Sequence, residues 1–265
     1  MASASPIGVF DSGVGGISVL QHIHALLPSE HIIYVADSFY APYGSKSPEF
    51  ITERAKVLTE FLLDEGAKAL VVACNTATAA AASLLRQNYA IPIIAMEPAV
   101  KPAVAATKTG VVGVLATVGT LKSAQFAALL DTYGHHVQIV TQGCAGLVEC
   151  IERGELRAPA TRQLVARYLG PLLEAGADTI VLGCTHYPFV RDLISDIAGE
   201  KVALIDTGDA VARQLQHRLH ESQLLNDAAT HGAISFWTNS TDPYAETVIQ
   251  KLWGSAVPVS RLVGI

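Results

Sequence analysis

Several absences limit what this chain of 265 residues is able to do. Its four cysteines are too few for the disulfide framework of a small secreted protein. No uninterrupted apolar stretch approaches the ~20 residues that span a bilayer, and the first ten residues lack the basic segment and apolar core of a secretory signal. Acidic residues outnumber lysine and arginine by 24 to 18, which argues against a basic nucleic-acid-binding surface. We therefore expect a cytoplasmic protein with reduced thiols that binds neither membranes nor nucleic acid.

Common cofactor and metal motifs are also missing. The short apolar strand Ile7–Phe10 leads into a glycine-rich turn, Asp11–Gly16, but neither the G-x-G-x-x-G fingerprint nor a Walker lysine is present. No C-x-x-C pair occurs, and no pyridoxal-lysine context is evident. We expect no cofactor and no metal. The turn itself predicts an anion-binding site at a helix start, unless its glycines serve only to allow positive φ.

What the chain does contain is a repeated pattern around two of its cysteines. Leu70 to Ala77 reads LVVACNTA, an apolar run that ends at Cys74. Ile180 to Pro188 reads IVLGCTHYP and repeats the pattern around Cys184. The preceding residues of the two segments also align without a gap, at an offset of 110 residues. A period of this length indicates duplication of half a protein rather than a short solenoid repeat.

The order of the predicted elements indicates the fold class. Strands alternate with helices, which predicts parallel sheets covered on both faces, and Ala116-Thr117 stands in the second half where Asp11-Ser12 stands in the first. We predict an α/β protein of two similar doubly wound parallel-sheet domains related by pseudo-two-fold symmetry, with the active site in the cleft between them. The segment Glu97–Pro102 is predicted to cross between the halves, and one helix is predicted from about Leu121 to Tyr133.

The two matched cysteines lie where open α/β sheets bind ligands, at the carboxyl ends of strands. A helix beginning just after each cysteine would favour the reactive thiolate. His186 lies two residues beyond Cys184 and would share its face of an extended chain, so it is placed to relay a proton. Cys144 and Cys150 lack this context, and we predict that they are structural.

Two opposed thiols suit the inversion of a stereocentre. One thiol removes a proton from one face of a carbon, and the other delivers a proton to the opposite face. Hydrogen-bond donors around the substrate carboxylate would stabilise the charge that develops. The side chains at these strand ends that supply such donors are Ser12, Asn75, Thr76 and Thr185.

The motifs taken together resemble those of the glutamate racemase family, which belongs with the aspartate and glutamate racemases. These are cofactor-independent isomerases that supply D-glutamate for peptidoglycan synthesis, and hence for cell-wall biogenesis and cell shape. The resemblance covers nearly the whole chain. The shared motifs occur in the family's order: GVFDSGVGG, the PYG-S-K loop, ACNTA, EPAVKPA, GVLAT, the GC-x-x-LV segment, GCTHYP and DTGDAVA.

The resemblance implies roles for individual residues. Cys74 matches the base that acts on D-glutamate, assisted by Asp11, and Cys184 matches the base that acts on L-glutamate, assisted by Glu152 and His186. The implied substrate-binding residues are Asp11, Ser12, Tyr43, Gly44, Asn75, Thr76, Thr117, Thr120, Thr185 and His186. The implied domains are residues 1–97 with 207–265, and residues 98–206. A homodimer is left open.

Three alternatives remain open at this point. An aspartate racemase would share the thiols and the fold but differ in pocket depth. A thiol hydrolase would use Cys184 as nucleophile, His186 as base and Glu152 to orient the base, which leaves Cys74 without a role. A two-lobed amino-acid-binding module would leave both thiols unexplained.

Overall fold

Residues 4–264, which the computed structural model describes, contain ten strands in two sheets. The strands are β1 (Ile7–Asp11), β2 (Ile32–Ala36), β3 (Ala69–Val72), β4 (Ile93–Ala95), β5 (Val111–Ala116), β6 (Gln138–Gly143), β7 (Thr179–Leu182), β8 (Ala203–Ile205), β9 (Ile234–Thr238) and β10 (Val259–Arg261). The six-stranded sheet has the order β10-β9-β2-β1-β3-β4, and the four-stranded sheet has the order β6-β5-β7-β8. Every neighbouring pair is parallel, which confirms the predicted fold class.

Helices cover both faces of each sheet. They are α1 (Ile17–Leu26), α2 (Pro48–Asp64), α3 (Asn75–Asn88), α4 (Val100–Ala106), α5 (Val118–Leu121), α6 (Ala124–Tyr133), α7 (Leu147–Glu152), α8 (Pro159–Glu174), α9 (Arg191–Ala198), α10 (Gly208–Glu221) and α11 (Ala245–Trp253). We call the six-stranded sheet with α1–α3, α10 and α11 the first lobe, and the four-stranded sheet with α4–α9 the second lobe. Among the described residues, no helix is long and apolar enough to cross a membrane.

The repeat seen in the sequence is also a repeat of topology. The orders β2-β1-β3-β4 and β6-β5-β7-β8 are the same, and β9 and β10 extend only the first sheet. A Cβ on Gly8 of β1 would lie 3.0 Å from Leu62, and a Cβ on Gly113 of β5 would lie 2.9 Å from Leu172. Leu62 and Leu172 are related by the 110-residue offset. The two lobes therefore pack α2 on β1 and α8 on β5 in the same close way.

The repeat brings the two cysteines to equivalent places. Side chains alternate along a strand, so Cys74 continues the face of β3 that packs against α2 and α3. Cys184 continues the face of β7 that packs against α7, α8 and α9. Each cysteine thus follows a central strand of its lobe, at the end where parallel sheets bind ligands.

One local prediction was wrong. The segment Glu97–Pro102 lies where the chain passes from the first sheet to the second, and its last three residues begin α4. Pro102 lies in the first helical turn, where a missing N–H breaks no bond. The single helix predicted from Leu121 to Tyr133 is two helices. Ser123 interrupts it as an N-cap, its hydroxyl oxygen accepting from the Phe126 N–H at 3.1 Å.

The chain passes from the first lobe to the second and then returns to the first. Strands β1–β4, β9 and β10 belong to the first lobe, and β5–β8 belong to the second. The domain boundaries at residues 97/98 and 206/207 stay a prediction.

Candidate active site

A small cavity lies at the carboxyl ends of the central strands, with both lobes contributing to its wall. Its lining residues are Ser12, Pro42, Tyr43, Gly44, Cys74, Asn75, Thr76, Thr117, Thr120, Val148, Cys184, Thr185 and His186. Cys74 reaches it from the first lobe and Cys184 from the second, and both are buried. The other two candidates, Asp11 and Glu152, lie behind this wall and contact it through Ser12 and His186. The structure thus brings all the candidate residues together.

The hydrogen bonds described for Cys74 come from the first lobe. Cys74 is the N-cap of α3, and its sulfur accepts from the Ala77 N–H at 3.4 Å and lies 3.8 Å from the Ser12 hydroxyl. The fully buried Asp11 carboxylate accepts from the Gly16 N–H at 2.7 Å and from the Ser12 hydroxyl at 3.3 Å. Ser12 therefore connects the Cys74 thiol with the Asp11 carboxylate.

The helix start favours the Cys74 thiolate, as predicted, but burial outweighs this effect. Burial raises the pKa of the Cys74 thiol well above its ordinary value, and the charge of Asp11 raises the pKa further. The Ala77 N–H favours the thiolate, but its effect on the pKa is smaller. Burial likewise raises the pKa of Asp11, although nearby His186 opposes the shift. Cys74 is consequently a neutral thiol that is able to donate a proton.

Cys184 has different neighbours. A short 3₁₀ helix, Tyr187–Val190, follows it instead of an α-helix, so the helix-start argument does not apply to this thiol. The Nδ1 atom of His186 lies 3.7 Å from the Cys184 sulfur, and its Nε2 atom lies 2.6 Å from Glu152 Oε1. The three groups form a continuous chain that is able to move a proton.

His186 is a stronger base in this environment than an ordinary histidine. Burial opposes the imidazolium, but hydrogen bonds to Cys184 and Glu152 and the Coulombic interactions with these two groups together raise the pKa of His186 well above its ordinary value. A proton that leaves Cys184 therefore has a favourable acceptor beside it.

The Glu152 carboxylate is held by donors that sequence reasoning missed. Besides His186, its Oε1 atom accepts from the Val14 N–H at 2.8 Å, and its Oε2 atom accepts from the Ser38 hydroxyl at 3.1 Å. Val14 and Ser38 belong to the first lobe, whereas Glu152 ends α7 of the second. The position of Ser38 two residues after strand β2 was the one signal that would have drawn attention to it.

The glycine-rich turn binds carboxylates, as its position at a helix start predicts, and these carboxylates are the protein's own. The Val14 N–H donates to Glu152, and the Gly16 N–H donates to Asp11. Gly13 and Gly15 do not have positive φ. A Cβ on Gly13 would lie 1.9 Å from Glu152 Oε1, and a Cβ on Gly15 would lie 2.2 Å from His186 Nδ1. These glycines are required because side chains of the second lobe approach the turn closely.

Gly13→Ala is expected to lower kcat/KM about a hundredfold, because the added methyl group displaces Glu152 and a misplacement of about 1 Å at an active site has an effect of this order. The matched control is Gly170→Ala in α8, where a Cβ has no neighbour within 4 Å. Steady-state kinetics of the two variants test the expectation. Equal activity would show that Glu152 tolerates displacement.

The cavity presents polar groups that have no partner in the described part of the chain. Both side-chain polar atoms of Asn75 are buried and make no hydrogen bond. Unsatisfied buried groups are costly, so this amide is available to a ligand. The hydroxyls of Thr76, Thr117 and Thr120 lie 3.0 to 3.1 Å from one another and join the lobes across the cavity.

The Tyr43 hydroxyl belongs to a buried hydrogen-bond network beside the cavity. It donates to buried Asp37, which also accepts two hydrogen bonds from Arg54, at 2.7 and 3.0 Å. The neighbouring Gly44 lies against Thr117, and a Cβ on Gly44 would lie 2.8 Å from the threonine side chain.

Arg54→Met is expected to lower the free energy of unfolding by about 3–5 kcal/mol, because Asp37 is left as a buried charge without its ion-pair partner. Arg213→Met removes the exposed ion pair with Asp209 and should change stability by less than about 1 kcal/mol. Urea denaturation of both variants measures the difference. A comparable loss in the two would contradict the importance of burial at Asp37.

The remaining cysteines lie outside the cavity wall. Cys144 and Cys150 are buried and free, and burial raises the pKa of Cys144 to about 12. In residues 4–264, no three His, Cys, Asp or Glu side chains are grouped so as to hold a metal ion.

Comparison with known proteins places this geometry in a family. The Asp/Glu/Hydantoin racemase profile matches residues 7–215. The chain is similar to the glutamate racemase of Ectopseudomonas mendocina, with 57% identity over 258 residues, which cover 97% of this chain and 98% of that protein. It is also similar to the structure of glutamate racemase isoform RacE1 from Bacillus anthracis, with a TM-score of 0.89 and 33% identity over 98% of both chains.

A third relative was solved with ligands. Escherichia coli glutamate racemase, in complex with L-glutamate and the activator UDP-MurNAc-Ala, matches with a TM-score of 0.85 and 32% identity, covering 97% of this chain and 98% of that chain. Sequence and structure agree over nearly the full length in each comparison. The chain belongs to the Asp/Glu/Hydantoin racemase family.

Proposed function

We propose that this protein is an amino-acid racemase that interconverts L- and D-glutamate by a two-thiol mechanism without a cofactor. The observation that carries the proposal is the placement of Cys74 and Cys184, from equivalent strand ends of two similar lobes, on the wall of one cavity. The 57% identity to a glutamate racemase and the L-glutamate complex of the Escherichia coli enzyme support glutamate as the substrate.

The proton movements follow from the two environments. In the L-to-D direction, Cys184 passes its proton to His186, and the resulting thiolate removes the α-proton of L-glutamate. The α-carbon becomes a planar carbanion, and the neutral Cys74 thiol protonates its opposite face to give D-glutamate. Cys184 then carries the substrate proton and Cys74 is a thiolate. In the reverse direction the two thiols exchange roles, with Asp11 beside Cys74 and Glu152 beside His186.

The substrate is held by donors near the thiols. The unpartnered Asn75 amide, the Thr76 and Thr185 hydroxyls and backbone N–H groups at the start of α3 suit a carboxylate. Donors directed at the carboxylate stabilise the charge that develops on it as the α-proton leaves, and this stabilisation is greatest in a buried site.

The biological role follows from the product. We infer that the D-glutamate supplies peptidoglycan synthesis in the cytoplasm, where the four free cysteines stay reduced. A homodimer also stays a proposal.

The test is incubation with L-glutamate in deuterated water without added cofactor. We expect D-glutamate to form with deuterium at the α-carbon, because the incoming proton comes from a thiol that has exchanged with solvent. L-Aspartate in a parallel reaction should be a poor substrate. Release of a hydrolysis product from a glutamate amide or ester, or binding of glutamate without exchange, would overturn the proposal.

A further inference from the structure

We propose that Ser38 is a positioning residue for proton transfer at Cys184, and that it acts through its hydrogen bond to Glu152. This inference rests on the proposed racemase function. It adds to that function a first-lobe residue that controls one of the two thiols and not the other.

The two thiols are supported in different ways. Every hydrogen bond described for Cys74 and Asp11 comes from the first lobe itself, from Ser12, Gly16 and Ala77. These hydrogen bonds do not cross between the lobes, so the second lobe acts on Cys74 and Asp11 only through its charges.

The Cys184 side depends on contact between the lobes. Of the three hydrogen bonds to Glu152, one comes from His186 of its own lobe, and two come from Val14 and Ser38 of the first lobe. Gly13 and Gly15 pack against the same two acid–base residues. The acid–base pair beside Cys184 is therefore complete only when the two lobes are together.

Ser38 has a specific effect within this contact. Val14 and His186 both bind Oε1 of Glu152, so they leave the carboxylate free to turn about that atom. The Ser38 hydroxyl binds Oε2 and fixes the plane of the carboxylate. Without this bond, Glu152 is less well aligned with His186, and proton transfer at Cys184 becomes slower. Ser38 itself does not line the cavity, so it acts without touching the substrate.

The consequence for the rate-limiting step differs between the two directions of the reaction. The equilibrium constant between enantiomers is one, so kcat/KM must change equally in both directions. What differs is the step that limits the rate. Slower transfer at Cys184 makes removal of the α-proton from L-glutamate more rate-limiting and removal of the α-proton from D-glutamate less so.

The experiment compares the deuterium isotope effects on kcat/KM of Ser38→Ala and the wild type, using α-deuterated L- and D-glutamate. We expect kcat/KM to fall about tenfold, the effect of losing a hydrogen bond to a charged group. The isotope effect should rise for L-glutamate and fall for D-glutamate. Ser38→Thr, which keeps the hydroxyl, should restore the wild-type values.

Controls separate positioning from a general structural defect. Ser29→Ala removes a serine hydroxyl bond to the Ala228 carbonyl at a distance from the cavity and should leave both isotope effects unchanged. Ser12→Ala perturbs the Cys74 side and should shift the isotope effects in the opposite directions. If Ser38→Ala does not fold, Ser38→Gly provides the same deletion.

The outcomes also distinguish this inference from the proposed function. A wild-type protein that does not racemise glutamate would overturn the proposed function. An active wild type with unchanged isotope effects in Ser38→Ala, or effects that move in the same direction for both enantiomers, would overturn the role of Ser38 alone.

Discussion

Cys74→Ala and Cys184→Ala are each expected to lower the rate of racemisation by at least about a thousandfold, within the range for loss of a positioned acid or base. Each variant lacks one of the two groups that must act on opposite faces of the α-carbon, so the remaining thiol is unable to complete the inversion. Chiral chromatography of the product from either enantiomer measures the loss.

Isotope exchange makes the same experiment more informative. In deuterated water, Cys74→Ala retains the Cys184 base, so any residual α-deuterium should enter L-glutamate without inversion. Cys184→Ala should confine such exchange to D-glutamate. Cys150→Ala is the matched control, because this cysteine is buried but lies outside the cavity wall. Full racemisation by either cavity variant would exclude that thiol as a required base.

His186→Asn is expected to lower kcat/KM by about 10² to 10⁴, because Cys184 loses the group that accepts its proton. His217→Asn provides the control, since His217 is exposed and pairs with Glu221 on α10. Wild-type kinetics in the His186 variant would show that the proton leaves Cys184 by another route.

The same variant has an expected pH signature in stability. The folded-state pKa of His186 lies well above the ordinary value of 6.5, because the bonds to Cys184 and Glu152 outweigh burial. The resulting stabilisation is fully present below about pH 6.5 and is lost as the pH rises through the folded-state pKa. The difference in unfolding free energy between wild type and His186→Asn should therefore become smaller as the pH rises. Urea denaturation at several pH values measures it.

The fold could be predicted because its signals are local and repeated. Apolar runs that end in polar residues mark parallel strands, and the 110-residue offset relates one lobe to the other. The same repetition identified Cys74 and Cys184, since two matched strand ends are less ambiguous than one. The break at Ser123 was missed because an N-cap inside an otherwise helical pattern is difficult to separate from an ordinary helical serine.

The effect of burial on protonation and the reason for the glycines in the turn could not be predicted, for a common reason. A helix start does stabilise a thiolate, but complete burial at Cys74 has the larger effect on the pKa. Glycines after a strand indicate a close approach, but only the fold shows that Glu152 and His186 are the groups that approach Gly13 and Gly15.

The sequence by itself determined the alternation of strands and helices, the duplicated plan and the two thiols, because each depends on residues that are close together along the chain. The tertiary structure alone decided which thiol depends on contact between the lobes. Ser38 and Glu152 are separated by 114 residues, and the bond between them exists only because the lobes meet at the cavity. Burial and inter-lobe contact are properties of the assembled fold, and they determine how readily each thiol loses or gains a proton.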